Sequence, residues 1–411
     1  MHPTFATRLE GMRSFRVMDL LDRARTLEAE GRDIVHMEVG EPDFSSAQPI
    51  IEAGTRALAA GRTGYSSALG LPELRRALAD YYLRWHGVEV DPARIVVTAG
   101  ATGALVMLAA LLLDEGDGLL MADPCYPCDR QLPLLVGAEP QLVPSTAEQD
   151  YQLDAAMAAA SWQPNTRGVL VASPSNPTGS VLARDRLAEL VEMVSARGGA
   201  TIVGEIYQGL VYPAELVDLP PDARHGDGLG AGCGTVLELE PDPDGSLYVV
   251  NSFSKYFGMT GWRIGWLVAP TAAIPRIEKL AQNFWIAPST PGQWAALAAL
   301  SDEAMAVHEQ RRRVFCQRRN LLVAGLRELG FEVPRVPEGA FYVYAGLPPD
   351  LPDALTFCHD LVEGQGVAVT PGADFGDFRA DRHVRFACAT GTGRIETALE
   401  RIGDALRTLR A

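Results

Sequence analysis

From about residue 50 to 285, short runs of β-branched and apolar residues alternate with Ala/Leu-rich stretches of helical period. The pattern predicts strands at 95–98, 118–121, 168–172, 200–203 and 247–250, and helices at 102–113, 184–197 and 272–282. Strand–helix alternation implies a mostly parallel sheet covered on both faces, with ligands at the C-terminal strand ends. Before this region, residues 13–30 place Val17, Leu20, Leu21, Ala24 and Leu27 on one helical face, and 33–39 reads as a short strand. After it, 301–328 reads as a long helix with arginines on its outer face. Strand-like runs at 341–344, 367–369 and 383–388 and a helix from Arg394 then suggest a smaller α+β unit.

A chain of 411 residues is too long for one core. The expected division is an N-terminal arm with part of the small domain at 1–45, a large domain at 46–285 and a small C-terminal domain at 286–411. The Gly-, Pro- and Asp-rich stretch 218–245 is expected to be a surface excursion.

Composition narrows the function. The net charge of −16 argues against nucleic acid or an anionic membrane, both of which need a basic patch. A small phosphate-bearing molecule still fits, since a few local donors suffice. The longest apolar run, 104–113, is too short to span a membrane. The N-terminus has no signal-peptide pattern, and six cysteines are too few for a disulfide scaffold, so a reducing cytoplasm is expected. Cys125-Tyr-Pro-Cys128 has no second pair to complete a metal site and reads as two packing residues in a turn.

Three motif matches are set aside. Ser252-Phe-Ser-Lys255 fits Ser-x-x-Lys, but the Ser-Asp-Asn and Lys-Thr-Gly elements of that acyl-transfer class are missing. Gly226-Asp-Gly228-Leu-Gly-Ala231 lacks the strand and helix of a dinucleotide site. His308-Glu309 has Arg312 where a zinc helix needs histidine, and no metal site is expected.

The strongest chemical signal is Asn251-Ser-Phe-Ser-Lys-Tyr-Phe-Gly-Met-Thr-Gly-Trp-Arg-Ile-Gly-Trp266. Lys255 sits among apolar and small residues, where poor hydration lowers a lysine pKa and frees the amine to attack an aldehyde. Arg263, eight residues on, is placed to clamp a phosphate with the Ser252 hydroxyl beside it. This segment, with others in the same order along nearly the whole chain, resembles the class I/II aminotransferases of the fold-type I pyridoxal 5′-phosphate (PLP) enzymes, related to aspartate aminotransferase.

The resemblance implies an α/β PLP-transferase fold with a mostly parallel seven-stranded sheet and a smaller α+β domain. It implies PLP held as a Schiff base on Lys255, and an amino group moved between an L-amino acid and a 2-oxo acid by ping-pong chemistry. The turn Thr98-Ala-Gly-Ala-Thr-Gly-Ala104 is then the phosphate cup, through the amides of Gly100, Ala101 and Thr102 at a helix N-terminus. Tyr126, in Asp123-Pro-Cys-Tyr-Pro, stacks on the ring, while Asn176 and Tyr207 donate to its phenolate oxygen. Arg385 and Gly40 meet the substrate carboxylate, and Asn176 borders the substrate as well. Tyr65 reaches the phosphate of a neighbouring subunit, which makes an obligatory homodimer with shared sites. Arg16 and Val17 either border the pocket or are ordinary helix residues. The stretch Gln282-Asn-Phe-Trp-Ile-Ala-Pro-Ser-Thr290 tilts the donor toward neutral or aromatic amino acids.

One position departs from the family. Three residues before the tyrosine, relatives carry an Asp that pairs with the pyridine nitrogen; here it is Gly204. Glu205 is adjacent but points the other way along a strand. The alternatives left open are a PLP-dependent β-lyase or decarboxylase on the same fold, and a weakly active or non-catalytic PLP-binding protein. From the sequence, Gly204→Asp is expected to raise the transamination rate at least ~10-fold.

Overall fold

The structure, a computed structural model, describes residues 5–213, 216, 234–239 and 245–409. Its helices are α1 (Arg16–Ala29), α2 (Gln48–Ala59), α3 (Pro72–His86), α4 (Gly100–Leu112), α5 (Ala155–Ser161), α6 (Arg184–Ala196), α7 (Ile274–Phe284), α8 (Thr290–Ala299), α9 (Asp302–Glu328), α10 (Ala354–Gln365) and α11 (Thr392–Leu409). Its strands are β1 (Val35–His36), β2 (Ile95–Thr98), β3 (Gly118–Asp123), β4 (Glu139–Pro144), β5 (Thr166–Ala172), β6 (Ala200–Gly204), β7 (Leu247–Ser252), β8 (Gly265–Val268), β9 (Tyr342–Gly346), β10 (Val367–Ala368), β11 (Thr370–Pro371) and β12 (His383–Ala387).

The main sheet has seven strands in the order β2-β8-β7-β6-β5-β3-β4, and only β8 runs antiparallel to its neighbours. Alternate residues feed two separate cores. Val96, Leu119, Met121, Ile202, Val250 and Leu267 face α4 and α7. Val97, Leu120, Val203, Val249 and Trp266 face the side covered by α3, α6 and α8. Burial on both faces explains why the strands read as unbroken apolar runs.

The second unit is the antiparallel sheet β11-β12-β9, with β1 paired to β10 alongside. The pairing of Val35 with Val367 ties the N-terminal segment to the C-terminal part of the chain. Helix α8, which follows residue 286, packs on α2, so the chain beyond the expected boundary first returns to the large sheet.

Several expectations need correction. The 33–39 strand shrinks to two residues. The arginines of α9 do not all face outward: Arg312, Arg318 and Arg319 are buried. Arg312 pairs with Glu309 at 2.5 Å, and Arg318 grips Asp43 through two bonds of 2.8 and 2.9 Å. Charge alone suggested solvent, but guanidinium groups enter a core when each donor finds an acceptor. Within 218–245, Thr235, Val236 and Leu237 are buried, contrary to a wholly exposed excursion. The rest of that stretch, apart from residues 234–239 and Gly245, and the 226–231 glycine motif lie outside the described residues. Strands β4 and β8 were not anticipated, since prolines bound the first and the Gly-Trp-Arg motif masks the second.

Candidate active site

The C-terminal ends of β2, β3, β5, β6 and β7 open along one edge of the main sheet. There the register sets Thr98 and Ser252 on either side of Gly265, bringing the turns after β2 and β7 together. Gly100 opens α4 at φ 72°, and a Cβ on it would lie 2.6 Å from Arg263 Nη2. A Cβ on Gly265 would lie 2.8 Å from the Ala101 amide nitrogen. Two bare glycines thus let a helix N-terminus and a guanidinium meet. Ser252 Oγ donates to Ser254 Oγ at 2.9 Å, and Arg263 donates to the Thr260 carbonyl at 2.9 Å. Free amides at 100–102, two hydroxyls and one guanidinium form the donor set of a phosphate cradle.

Lys255 lies three residues beyond β7, and its Nζ donates to the Gly40 carbonyl at 2.6 Å. Loss of hydration pushes this amine down to about 8; Glu41 opposes the shift, while the Arg385 and Arg263 guanidinium groups add to it. The free amine is therefore populated near neutral pH.

Facing Lys255, Arg385 is buried on β12 with its guanidinium over the rings of Tyr342 and Phe375, at 4.5 and 4.7 Å. Nη1 donates to Asn176 Oδ1 at 2.9 Å, and Nη2 donates to the Glu38 carbonyl and to Thr370 Oγ1. Nε is buried with no partner among the described residues. The Tyr207 hydroxyl shares a 2.8 Å hydrogen bond with Tyr342. Burial, reinforced by Tyr342, pushes the Tyr207 phenol well up, so it stays a donor.

Tyr342 was not singled out from sequence. A Cβ on Gly40 would lie 2.0 Å from its hydroxyl oxygen, so the glycine exists to admit this tyrosine. Its one sequence cue was a tyrosine inside an apolar strand, where the hydroxyl needs a partner.

Tyr126 borders a cavity of about 20 Å³ together with Asn176, Ala172 and Asp129. Arg16 and Val17 offer their amides to Asp374 at 2.7 and 2.9 Å, an ordinary cap on α1. Trp285 lies against the Gly103 position of α4, while Phe284 and Ile286 are exposed. Ala101 and Thr102 sit in the first turn of α4. Tyr65 is 82% exposed, and none of its atoms bonds to a described residue, so a single chain does not bring it into this group. Beside Gly40 a cleft of about 610 Å³ opens between residues 41–46, Thr260, Trp262 and Ser289.

Strand-end loops around a desolvated lysine and a phosphate cradle define a fold-type I transferase. The chain belongs to the aminotransferases of class I and II, whose family description matches residues 32–402. It is an aminotransferase, and the family generally depends on PLP. It is 37% identical to the valine–pyruvate aminotransferase of Mycobacterium tuberculosis, over 96% of each chain. It is 33% identical to the aspartate/prephenate aminotransferase of Thermus thermophilus, over 97% of this chain and 98% of that one. A crystal structure of an aminotransferase from Mycobacterium tuberculosis superposes with a TM-score of 0.89 at 36% identity, covering 99% of this chain and all of that one. Aspartate aminotransferase from Thermus thermophilus with maleate gives 0.86 at 32% identity, covering 98% and 100%.

Proposed function

We propose that this chain binds PLP through Lys255 and transfers amino groups between an L-amino acid with an uncharged side chain and a 2-oxo acid. The observation that carries the reading is a lysine amine held near pKa 8 between the phosphate cradle and a buried arginine. The cradle fits the cofactor on its own geometry, since Gly100 and Gly265 leave open what any side chain would fill. Gly100, Ala101, Thr102, Ser252 and Arg263 take the phosphate, Tyr126 takes one ring face, and Asn176 and Tyr207 take the ring hydroxyl. Bound there, PLP supplies the electron sink for the substrate α-carbon.

The protein's own part is binding and proton control. Arg385, with Gly40 beside it, presents a fork to the substrate carboxylate. Lys255 removes the α-proton at Nζ and returns it to the cofactor side. The preference for an uncharged donor rests on the neutral 282–290 stretch and on the similarity to a valine–pyruvate enzyme.

The working unit is a homodimer in which the exposed Tyr65 reaches the phosphate cradle of the partner subunit. The described cysteines are free thiols, in keeping with a cytoplasmic setting. No described helix is long and apolar enough to cross a membrane.

The test is a donor panel against pyruvate and 2-oxoglutarate. Valine, alanine or an aromatic donor converting the bound cofactor to its amine form upholds the reading. Release of ammonia or CO2 without that conversion overturns it.

A further inference from the structure

The end of β6 brings no carboxylate toward the site. The Cβ position of Gly204 lies 3.7 Å from Ala172 Cβ, its partner on β5, so both point to the same side of the sheet. Ile206 Cδ1, 3.2 Å away, closes over the gap. Glu205 goes to the opposite face, where Thr235 Oγ1 donates to it at 3.0 Å and the Val236 amide at 2.7 Å.

The side of Ala172 nevertheless has a carboxylate. Asp129, carried by the turn after β3, lines the same small cavity as Ala172, Tyr126 and Asn176. It is 7% exposed. Among the described residues no amide or side chain donates to its carboxylate, whereas two nearby acids each accept a pair of backbone amides, although Asp123 Oδ1 stays unpartnered. Asp123 accepts the amides of Asp377 and Phe378, and Asp374 those of Arg16 and Val17. Arg130, the adjacent cation, donates through Nη2 to the carbonyls of Ala373 and Asp374, and none of its nitrogens bonds to Asp129, although Nε and Nη1 have no partner among the described residues. The other titratable groups around the turn are Cys125, Tyr126 and Cys128, all held neutral by burial. Burial alone pushes Asp129 up to about 7, as for an anion lacking its partner. Leaving a charge buried and unpaired costs several kcal/mol, so such a group points to a cationic ligand.

We propose that Asp129 takes the place of the side chain missing at Gly204, accepting the N–H of the protonated pyridine ring of the bound cofactor. This rests on PLP occupying the site as described above. The proton resides on the ring nitrogen and the negative charge on Asp129, so the ring stays a strong electron sink although β6 ends in glycine.

The experiment compares the holoenzyme with Asp129→Asn, Gly204→Asp and the double variant. Ring protonation is read from the nitrogen chemical shift of isotope-labelled PLP, and the amino-acid half-reaction from single-turnover absorbance. Wild type should show a protonated ring nitrogen at neutral pH. Asp129→Asn, nearly isosteric, should lose that proton and slow the half-reaction at least ~10-fold. Adding Gly204→Asp to it should restore both, whereas Gly204→Asp alone should change the rate by less than about threefold. That last outcome replaces the acceleration expected from sequence. A protonated ring and an unchanged rate in Asp129→Asn would overturn the assignment, as would a large acceleration by Gly204→Asp alone. Wild type that retained no cofactor would bring down the PLP reading itself; wild type that held PLP with a bare ring nitrogen would bring down only the role of Asp129.

Discussion

The two ends of the site are built differently. At the proposed phosphate end, backbone would do most of the binding: glycines at 100 and 265 clear the space, a helix offers amides, and Arg263 completes the cradle. At the proposed ring and carboxylate end, side chains from strands and loops far apart in the chain meet: Arg385 with Asn176, Tyr207 with Tyr342, and Asp129 beside Ala172. A backbone cradle tolerates little substitution because any Cβ intrudes. A side-chain end can move a carboxylate from one loop to another, as long as the charge arrives at the same place.

Variants at each end separate these two kinds of construction. The largest effect belongs to the lysine between them. Lys255→Ala should slow the half-reaction by roughly 10³-fold or more, since it removes nucleophile and proton carrier together. The phosphate end should still retain cofactor after gel filtration, without the long-wavelength absorption of the Lys255 adduct. Next, Arg385→Ala loses charged hydrogen bonds worth about 1.5–3 kcal/mol, or roughly 10–100-fold in kcat/KM for the amino acid. The cofactor spectrum should not change; a weakened spectrum would place Arg385 at the wrong end.

Gly100→Ala probes the cradle. At φ 72° a side chain is strained by about 1–2 kcal/mol, so cofactor affinity should fall roughly tenfold in an equilibrium titration of apoenzyme. A fourth measurement uses pH. The neutral amine is the reactive form of Lys255, and its folded pKa is lowered to about 8. Borohydride-trappable attachment of cofactor should therefore rise roughly fivefold from about pH 7 to 8 and level off by about pH 9. A lysine of ordinary pKa would still be climbing there. Smallest is Tyr342→Phe, which removes one hydrogen bond to Tyr207, worth about 1 kcal/mol, and should appear as a shift in the spectral pKa of the bound cofactor.

Much of the large sheet was legible because its strands are buried on both faces and therefore run apolar without interruption. The 95–98 strand agreed to the residue, and helix 184–197 to within one. Edge strand β4 and helices α2, α3 and α5 were not predicted; prolines lie in the strand and open the first two of those helices. Arginines read as solvent-facing on α9 turned out to be core cations, because hydropathy does not register an acceptor such as Asp43, 275 residues away.

Candidate chemistry held in contiguous segments could be read from the amino-acid order alone. The lysine, its serines and Arg263 fall within one stretch, and the glycine turn follows a strand directly, so local order alone makes them candidates. Only the tertiary structure decided which distant groups share a hydrogen bond: Arg385 with Asn176 across 209 positions, or Tyr342 over Gly40. The same holds for Asp129, which is an unremarked turn residue until the sheet sets β3 next to β5. Pairing of that kind depends on strand register, and register is settled by the packing of whole layers rather than by any local run of residues.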